Sequence, residues 1–495
     1  MSLEDLNSTL TDVFDSFWSW AVLPLLIALG LYFTVRSGFV QLRLFPEMLR
    51  TLRDRTPRTE DGEPQSLSPF QAFTVSAASR VGVGNIAGVA TAIAVGGPGA
   101  VFWMWLMALL GGASSFVEST LAQLYKVPDR EGFRGGPAYY MSRGLKAPWM
   151  GKLFAVVLIA CFPLAFNSLQ ANTIATTLGS TASGAFGEQS LAWLPWTVGA
   201  LLAALTAAVI FGGSRRIAHV TETLVPGMAV VYLLLGLVVI GVHIDRLPGA
   251  VGAIFAHAFG LQQFVGAVWG QVVLTGIKRG MFSNEAGLGS APNAGASAAV
   301  THPVKQGLVQ TLGVYFDTFL ICSVTAFIIL VSVPDPAGAG KGIELTQTAL
   351  ADALGSWTGV LLSVIVFLLA FSSVLGNYFY GESNLEFLTT SRRVLTAYRG
   401  LVVAVVLLGS VAATDLVWTI ADGIMGVMAI TNLVAIGLLS GTAFRLLRDY
   451  TEQRKRGVNP VFTRDRLPEL DGVECWRDER SVTGPVELPG AQRTP

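Results

Sequence analysis

The sequence predicts an all-α membrane protein of about eleven transmembrane helices, one N-terminal helix plus a 5+5 inverted-repeat core with two discontinuous helices. Three observations predict it. Only 13% of the 495 residues are charged and 52% are hydrophobic, whereas a soluble domain carries about 25% charged residues. Apolar runs of about 20 residues, long enough to cross a bilayer, recur along the whole chain. One short pattern occurs twice, each time inside such a run: Arg80-Val-Gly-Val-Gly-Asn-Ile-Ala-Gly88 and Arg279-Gly-Met-Phe-Ser-Asn-Glu-Ala-Gly287.

The eleven runs lie near 17–36, 68–95, 98–125, 150–178, 191–212, 219–243, 264–294, 304–333, 356–388, 396–413 and 416–446. Basic residues test the count. Arg36, Arg43, Arg50, Arg53, Arg55 and Arg58 follow the first run, and Lys126, Arg130, Arg134, Arg143 and Lys146 follow the third. Arg215 and Arg216 follow the fifth, Arg392, Arg393 and Arg399 the ninth, and Arg445 to Arg456 the last. The turn before the eighth run offers only Lys305 and His302. On the other side, 180–190 has no Lys or Arg and 244–263 has only Arg246. The positive-inside rule then puts the N-terminus outside and the C-terminus in the cytoplasm of a cell-membrane protein.

Residues 1–16 are read as an extracellular segment without the basic start of a cleavable signal. Residues 17–446 form the transmembrane domain, with repeat one at 68–243 and repeat two at 264–446, and 447–495 form a polar, flexible cytoplasmic tail. Residues 41–53 read as an amphipathic segment on the cytoplasmic surface, and 248–262 as a similar one outside. Without the first run, ten remain in two sets of five. Five is odd, so the second set enters the membrane in the opposite sense, and binding is expected at the midplane between the sets.

Zero net charge gives no sign of a nucleic-acid face. Cys161, Cys322 and Cys475 have no paired spacing, and the four histidines fall at the ends of the runs without metal-ligand spacing. No metal beyond Na⁺ and no cofactor is expected. An intramembrane enzyme needs a nucleophile–base or metal set at depth, which is missing. A channel wants repeated rings of pore charge.

The two breaks carry the chemistry. A helix broken in lipid frees N–H and C=O groups that each cost several kcal/mol unless satisfied. Amides around Asn85 to Gly88 begin a half-helix whose positive dipole end suits a carboxylate. Carbonyls around Val81 to Val83 suit a small hard cation, and Gly82 and Gly84 let a ligand approach the backbone. An amino acid with Na⁺ or H⁺ fits both, which points to a secondary transporter.

Residues 82–99, 279–292 and 302–308 (His-Pro-Val-Lys-Gln-Gly-Leu) resemble the signatures of the alanine or glycine:cation symporter family, over about residues 15 to 445. The resemblance implies sodium-coupled uptake of a small neutral amino acid, alanine or glycine first, on a leucine-transporter-type fold. A proton-coupled or glutamine-type transporter is the alternative. Val83 stands where the family usually has Thr, Gly112, Ser114 and Ser115 replace Met, Thr and Lys, Thr431 replaces Pro, and Asn377 replaces a pocket Trp. Asn377 therefore admits a larger or more polar substrate.

Gln170 shares a helical face with Asn167 and Thr177 and matches a family pocket position, where its carbonyl would accept from an ammonium group; an interhelical hydrogen bond is the other reading. Phe282, with Met281 and Trp269, is expected to wall the pocket, and Asn284 is the second copy's counterpart of Asn85. The implied fold puts Ser372 and Ser373 on a sodium ion with the Val81 and Val83 carbonyls, against back-bonding to their own helix. Asp317 is expected to ligate a second cation with Asn85, carry a proton, or pair with Lys278 or Arg279. Arg80 and Glu118 are expected to pair as a gate or strut, and Arg279 and Glu285 to serve as gating or structural groups.

Overall fold

In the computed structural model, residues 3–57, 64–129, 132–186, 192–259, 266–340, 342–412, 414–479 and 482 are described. The described chain is helical except for connections and one antiparallel hairpin, Val127–Asp129 (β1) with Gly132–Arg134 (β2). In chain order the main helices are α1 (Asn7–Arg36), α2 (Phe45–Thr51), α3 (Pro69–Arg80), α4 (Gly84–Gly96) and α5 (Gly99–Leu124). They continue with α6 (Pro148–Ser183), α7 (Leu194–Ile210), α8 (Ser214–Val242), α9 (Leu247–Ala258) and α10 (Gly266–Asn284). The last are α11 (Ala291–Ala296), α12 (Pro303–Ser332), α13 (Thr358–Leu388), α14 (Arg392–Gly409) and α15 (Thr414–Lys455).

Each of the eleven expected stretches contains helix among its described residues, two of them interrupted. Among the described residues, seven helices are long and apolar enough to cross a membrane, and α3 with α4 makes an eighth as one span bent by 53°. The remaining three fall short of that test: α7 has 17 residues, while α10 and α14, at 19 and 18, carry Lys278 and Arg279, and Arg392, Arg393 and Arg399. α2 and α9 occupy the two expected surface segments.

Local signals set the starts. Ser68 caps α3 through a reciprocal capping box with Gln71, and Pro69 fills the first turn, where its missing N–H costs nothing. His302 caps α12: its Nδ1 accepts from Val304 N at 3.2 Å, ahead of Pro303. Burial pushes the His302 imidazole down to about 4, so at neutral pH its Nε2–H donates to Asp449 as a neutral hydrogen bond at 3.1 Å. Small residues let spans approach closely; a Cβ on Gly307 of α12 would stand 2.9 Å from the Phe116 carbonyl of α5.

The two broken helices lie side by side and antiparallel. Leu67, which precedes α3, bridges to Ala298, just past α11, with Ala299 N donating to Leu67 O at 2.9 Å. At the opposite end Gly96 of α4 packs against Val272 and Thr275 of α10. This opposite sense is the one expected when each of two sets of five opens with a broken helix.

The segment after α15 departs from expectation. Its polar composition suggested a flexible tail, yet the described part folds back beneath the basic loops. Phe462 N donates to Thr301 O at 2.8 Å, and Trp476 Nε1 to Gln123 O at 3.1 Å. Trp476 is buried, and the Lys126 ammonium sits between the Phe133 and Trp476 rings, 4.0 and 4.6 Å from their centroids. A few apolar anchors outweigh the polar average. Trp476→Ala removes about 3–5 kcal/mol of packing and is expected to speed tryptic cleavage at Arg464 and Arg466 at least severalfold; an unchanged cleavage rate would contradict the docking.

Candidate functional site

The chain leaves helical geometry at Val81 (φ −83°, ψ 85°). Asn85 Oδ1 accepts from Gly82 N at 2.9 Å and Gln170 Oε1 from Val83 N at 3.3 Å, so two side chains hold the first break open. Crowding explains its glycines. A Cβ on Gly82 would collide with Ser373 Oγ, and one on Gly84 would stand 2.7 Å from Phe282 Cδ1. Beyond it α4 starts with a π-helical turn, Gly84–Gly88.

Ser373 Oγ lies 3.5 Å from the Val81 carbonyl and 3.1 Å from Leu369 O, so the structure brings it to the break. Its neighbour Ser372 bonds back to Leu369 O at 2.8 Å, the plainer of its two readings.

A second cluster lies behind Asn85. Asp317 accepts from Asn85 Nδ2 and Ser283 Oγ, both at 2.6 Å, and from Thr318 Oγ1 at 3.1 Å. Asn284 Nδ2 donates to Thr318 Oγ1 at 3.2 Å, and Cys322 Sγ lies 3.0 Å from Ser283 Oγ. Asp317 and Thr318 ride on a π-helical turn of α12, Phe316–Cys322, a feature frequent at functional sites. Expected pairing of Asp317 with Lys278 or Arg279 does not occur. Lys278 Nζ reaches Asp15 at 2.7 Å and Asp422 at 3.3 Å, and Arg279 Nη2 reaches Asp422 at 2.8 Å. Asp317 is thus a buried carboxylate with neutral donors and no ion-pair partner among the described residues. Such a group is costly in lipid unless a cation joins it.

The second break is displaced relative to the aligned motif. α10 stays helical through Asn284, and residues 285–290 are unwound, with Glu285, Gly287 and Gly289 at φ +58°, +83° and +80°. Asn85 follows its break whereas Asn284 precedes its own, so the matched residues do different work. Glu118 does not pair with Arg80. Its carboxylate instead accepts from Gly287 N at 3.2 Å, Gly289 N at 3.1 Å and Asn432 Nδ2 at 2.7 Å. Asn432 also donates to Gly287 O and accepts from Tyr140 OH. Glu118 is therefore a strut for the second break. Arg80 is buried, with Nη1 donating to Gln310 O at 3.2 Å and Nε and Nη2 without a hydrogen-bond partner among the described residues.

A buried relay joins the breaks. Asn377 Nδ2 donates to Asn167 Oδ1 at 2.9 Å, Ser79 Oγ lies 2.7 Å from Asn377 Oδ1, and Ser79 and Ser290 hydroxyls each donate to Glu285 at 2.6 Å. Asn377 is committed to this relay, and the Thr177 hydroxyl bonds back to Thr173 O at 2.6 Å.

On one side of the breaks Phe282 packs between Phe166 and Trp418, at centroid distances of 4.5 and 5.1 Å. Arg279 covers Trp418 at 4.5 Å while held by Asp422. On the side of the basic loops a cavity of about 670 Å³ runs between the hairpin and α13, past Arg134, Glu382 and Arg399 to Phe379 and Ser297. Phe379 lies six residues along α13 from Ser373, about 9 Å. Met281 is buried beside Phe282, while the side chain of Trp269 lies outside the described residues. Sequence reasoning missed Ser79, Ser283, Ser290, Thr318 and Asn432; single hydroxyls and amides in apolar runs carry no spacing signal.

Residues 3–464 match the sodium:alanine symporter family. The amino-acid carrier protein AlsT of Bacillus subtilis is 50% identical over 96% of this chain and 98% of its own length. From the same organism, the protein named "Probable sodium/glutamine symporter GlnT" is 48% identical over 93% and 94%. The sodium/alanine symporter AgcS of Methanococcus maripaludis is 37% identical over 91% and 98%.

Losing the strut should cost stability before anything else. Glu118→Ala strands three buried donors, each worth about 1–3 kcal/mol, and is expected to lower the thermal midpoint of the purified protein by at least several degrees, with Glu118→Gln in between. A midpoint equal to that of the parent would refute the strut.

Proposed function

The chain belongs to the sodium:alanine symporter family, and from that premise we propose that it imports a small neutral amino acid, alanine or glycine first, with Na⁺ by alternating access. Family membership makes it a transporter rather than an enzyme. The observation that carries the reading is the open first break, with Ser373 Oγ 3.5 Å from the Val81 carbonyl and unpaired Asp317 beside Asn85.

The substrate carboxylate takes the amide end of α4 near Gly84, where the helix dipole is positive, the Asn85 N–H being held by Gly82 O at 3.2 Å. Gln170 retains a lone pair on Oε1 for the substrate ammonium, since that oxygen accepts one bond from Val83 N. Phe282 closes over the substrate, being already within contact of Gly84. One sodium ion takes the Val81 and Val83 carbonyls with Ser373, and a second takes Asp317 with Asn85, Ser283 and Thr318; hard oxygen donors of this kind suit Na⁺.

The basic loops orient the protein with its N-terminus outside and C-terminus in the cytoplasm. The Phe166–Phe282–Trp418 row and the Arg279–Asp422 pair then close the outer side, and the cavity ending at Phe379 opens to the cytoplasm. The break itself is buried, so inward opening has to extend this cavity past Phe379 and outward opening has to part the aromatic row.

A glutamine-type substrate is the second reading, favoured by Asn377 in place of the family Trp and by likeness to GlnT.

In proteoliposomes, Ser373→Ala is expected to raise the Na⁺ concentration for half-maximal uptake at least severalfold while the protein still inserts. An unchanged sodium dependence would remove Ser373 from the ion site. A panel of unlabelled amino acids competing against labelled alanine separates the substrate readings: alanine and glycine are expected to compete best, and a dominant glutamine would transfer the assignment to the second reading.

A further inference from the structure

Between α2, α3, α8 and the π-helical turn of α12 runs an apolar groove of about 930 Å³, near the upper end of small-molecule sites at about 300–1,000 Å³. Phe73, Leu312 and Tyr315 are buried in its floor, and Leu49, Val230 and Leu320 stand exposed on its rim. Pro226 lies in the wall supplied by α8, where it leaves one helical carbonyl without its donor. The polar atom of Tyr315 is turned away, donating to the Gln41 carbonyl at 3.0 Å. The lining offers a ligand almost nothing but carbon.

One end of the groove is basic. Leu52, which lines it, is followed by Arg53 and Arg55, both exposed. Arg215 and Arg216 are exposed at the start of α8, about 14 Å along that helix from the lining residue Val225. Of the nearby described carboxylates, Glu47 pairs with Arg50 at 2.7 Å and Arg454 at 3.0 Å and Asp54 with Lys305 at 2.5 Å; Glu222 accepts from neutral Gln71 at 3.0 Å and leaves one negative charge against four arginines. The four arginines make no ion pair among the described residues, so this end has a net positive surplus facing an apolar slot.

We propose that the groove is a resident site for an acyl chain of an anionic phospholipid, whose phosphate is held by Arg53, Arg55, Arg215 and Arg216. The other face of the same π-helical turn explains why the site matters. Phe316, Phe319 and Leu320 line the groove, while Asp317 and Thr318 turn inward to Asn85 and Asn284. The chain braces the turn that carries Asp317.

Native mass spectrometry of the purified full-length protein tests this with added phosphatidylglycerol and phosphatidylcholine of matched chains. The readout is bound lipid, so it fails or succeeds independently of the transport reading. A surface arginine is worth about fivefold in binding an anionic headgroup. Phosphatidylglycerol is expected to be retained at least tenfold better, and R53Q/R55Q to erase most of that preference. Val230→Trp, which fills the slot, is expected to abolish retention of both lipids, with Leu49→Phe as a milder filling variant if Val230→Trp does not give a monodisperse protein. Equal retention of the two lipids, or a filled groove that still holds phosphatidylglycerol, would overturn the proposal. So would a dimer mass that the filling variants disrupt, since a second copy would then be the occupant.

Discussion

A peptide group freed inside a bilayer has no water to turn to, so an interrupted helix persists only where something else supplies partners. The two interruptions in this protein meet that demand in opposite ways. Residues 285–290 are satisfied by the protein itself: Glu118 takes the Gly287 and Gly289 amides, Asn432 takes the Gly287 carbonyl, and Ser79 and Ser290 hold Glu285 in its left-handed conformation. The first break is held by two amide side chains, Asn85 and Gln170, and keeps the Val81 carbonyl within reach of little but Ser373. One break is framed by a carboxylate and the other by neutral amide and hydroxyl groups, the softer frame of the two.

This asymmetry organises the surroundings. Three elements converge on Asn85: the half-helix it begins, Ser283 near the end of α10, and Asp317 on the wide turn of α12. A cation drawn to Asp317 would therefore tie both broken helices to α12. The Ser79–Asn377–Asn167 relay ties the frame to α13 and α6. The aromatic row and its ion pairs lie on one side of the buried first break, and the cavity that ends at Phe379 lies on the other. If ion and substrate bind as proposed, their coupling needs no long-range wire, because both would touch the same few peptides.

Much of the architecture was legible because lipid enforces it. Apolar runs, alternating basic loops and the paired glycine-rich motifs all answer to the cost of polar groups in hydrocarbon, and each expected stretch contains helix among its described residues. Val81, Gly82, Asn85, Gln170 and Ser373 meet at one break as the residues and the family likeness implied. Other parts were hidden. Aligned motifs suggested equivalent breaks, but which side of an Asn unwinds depends on neighbours far along the chain, such as Glu118 and Asn432. Arg80 and Glu118 looked like partners by charge alone, yet backbone amides outcompete a guanidinium that sits elsewhere. The docked tail escaped notice because Phe462 and Trp476 are two anchors in a polar stretch.

The account stands or falls on whether the unpaired carboxylate beside the open break holds the coupling ion. Equilibrium binding of radioactive ²²Na⁺ to purified protein, without amino acid, measures this most directly. The account predicts that Asp317→Asn, which keeps the shape and removes the charge, loses at least one of the bound ions seen in the parent. Identical stoichiometry and affinity in parent and variant would contradict it.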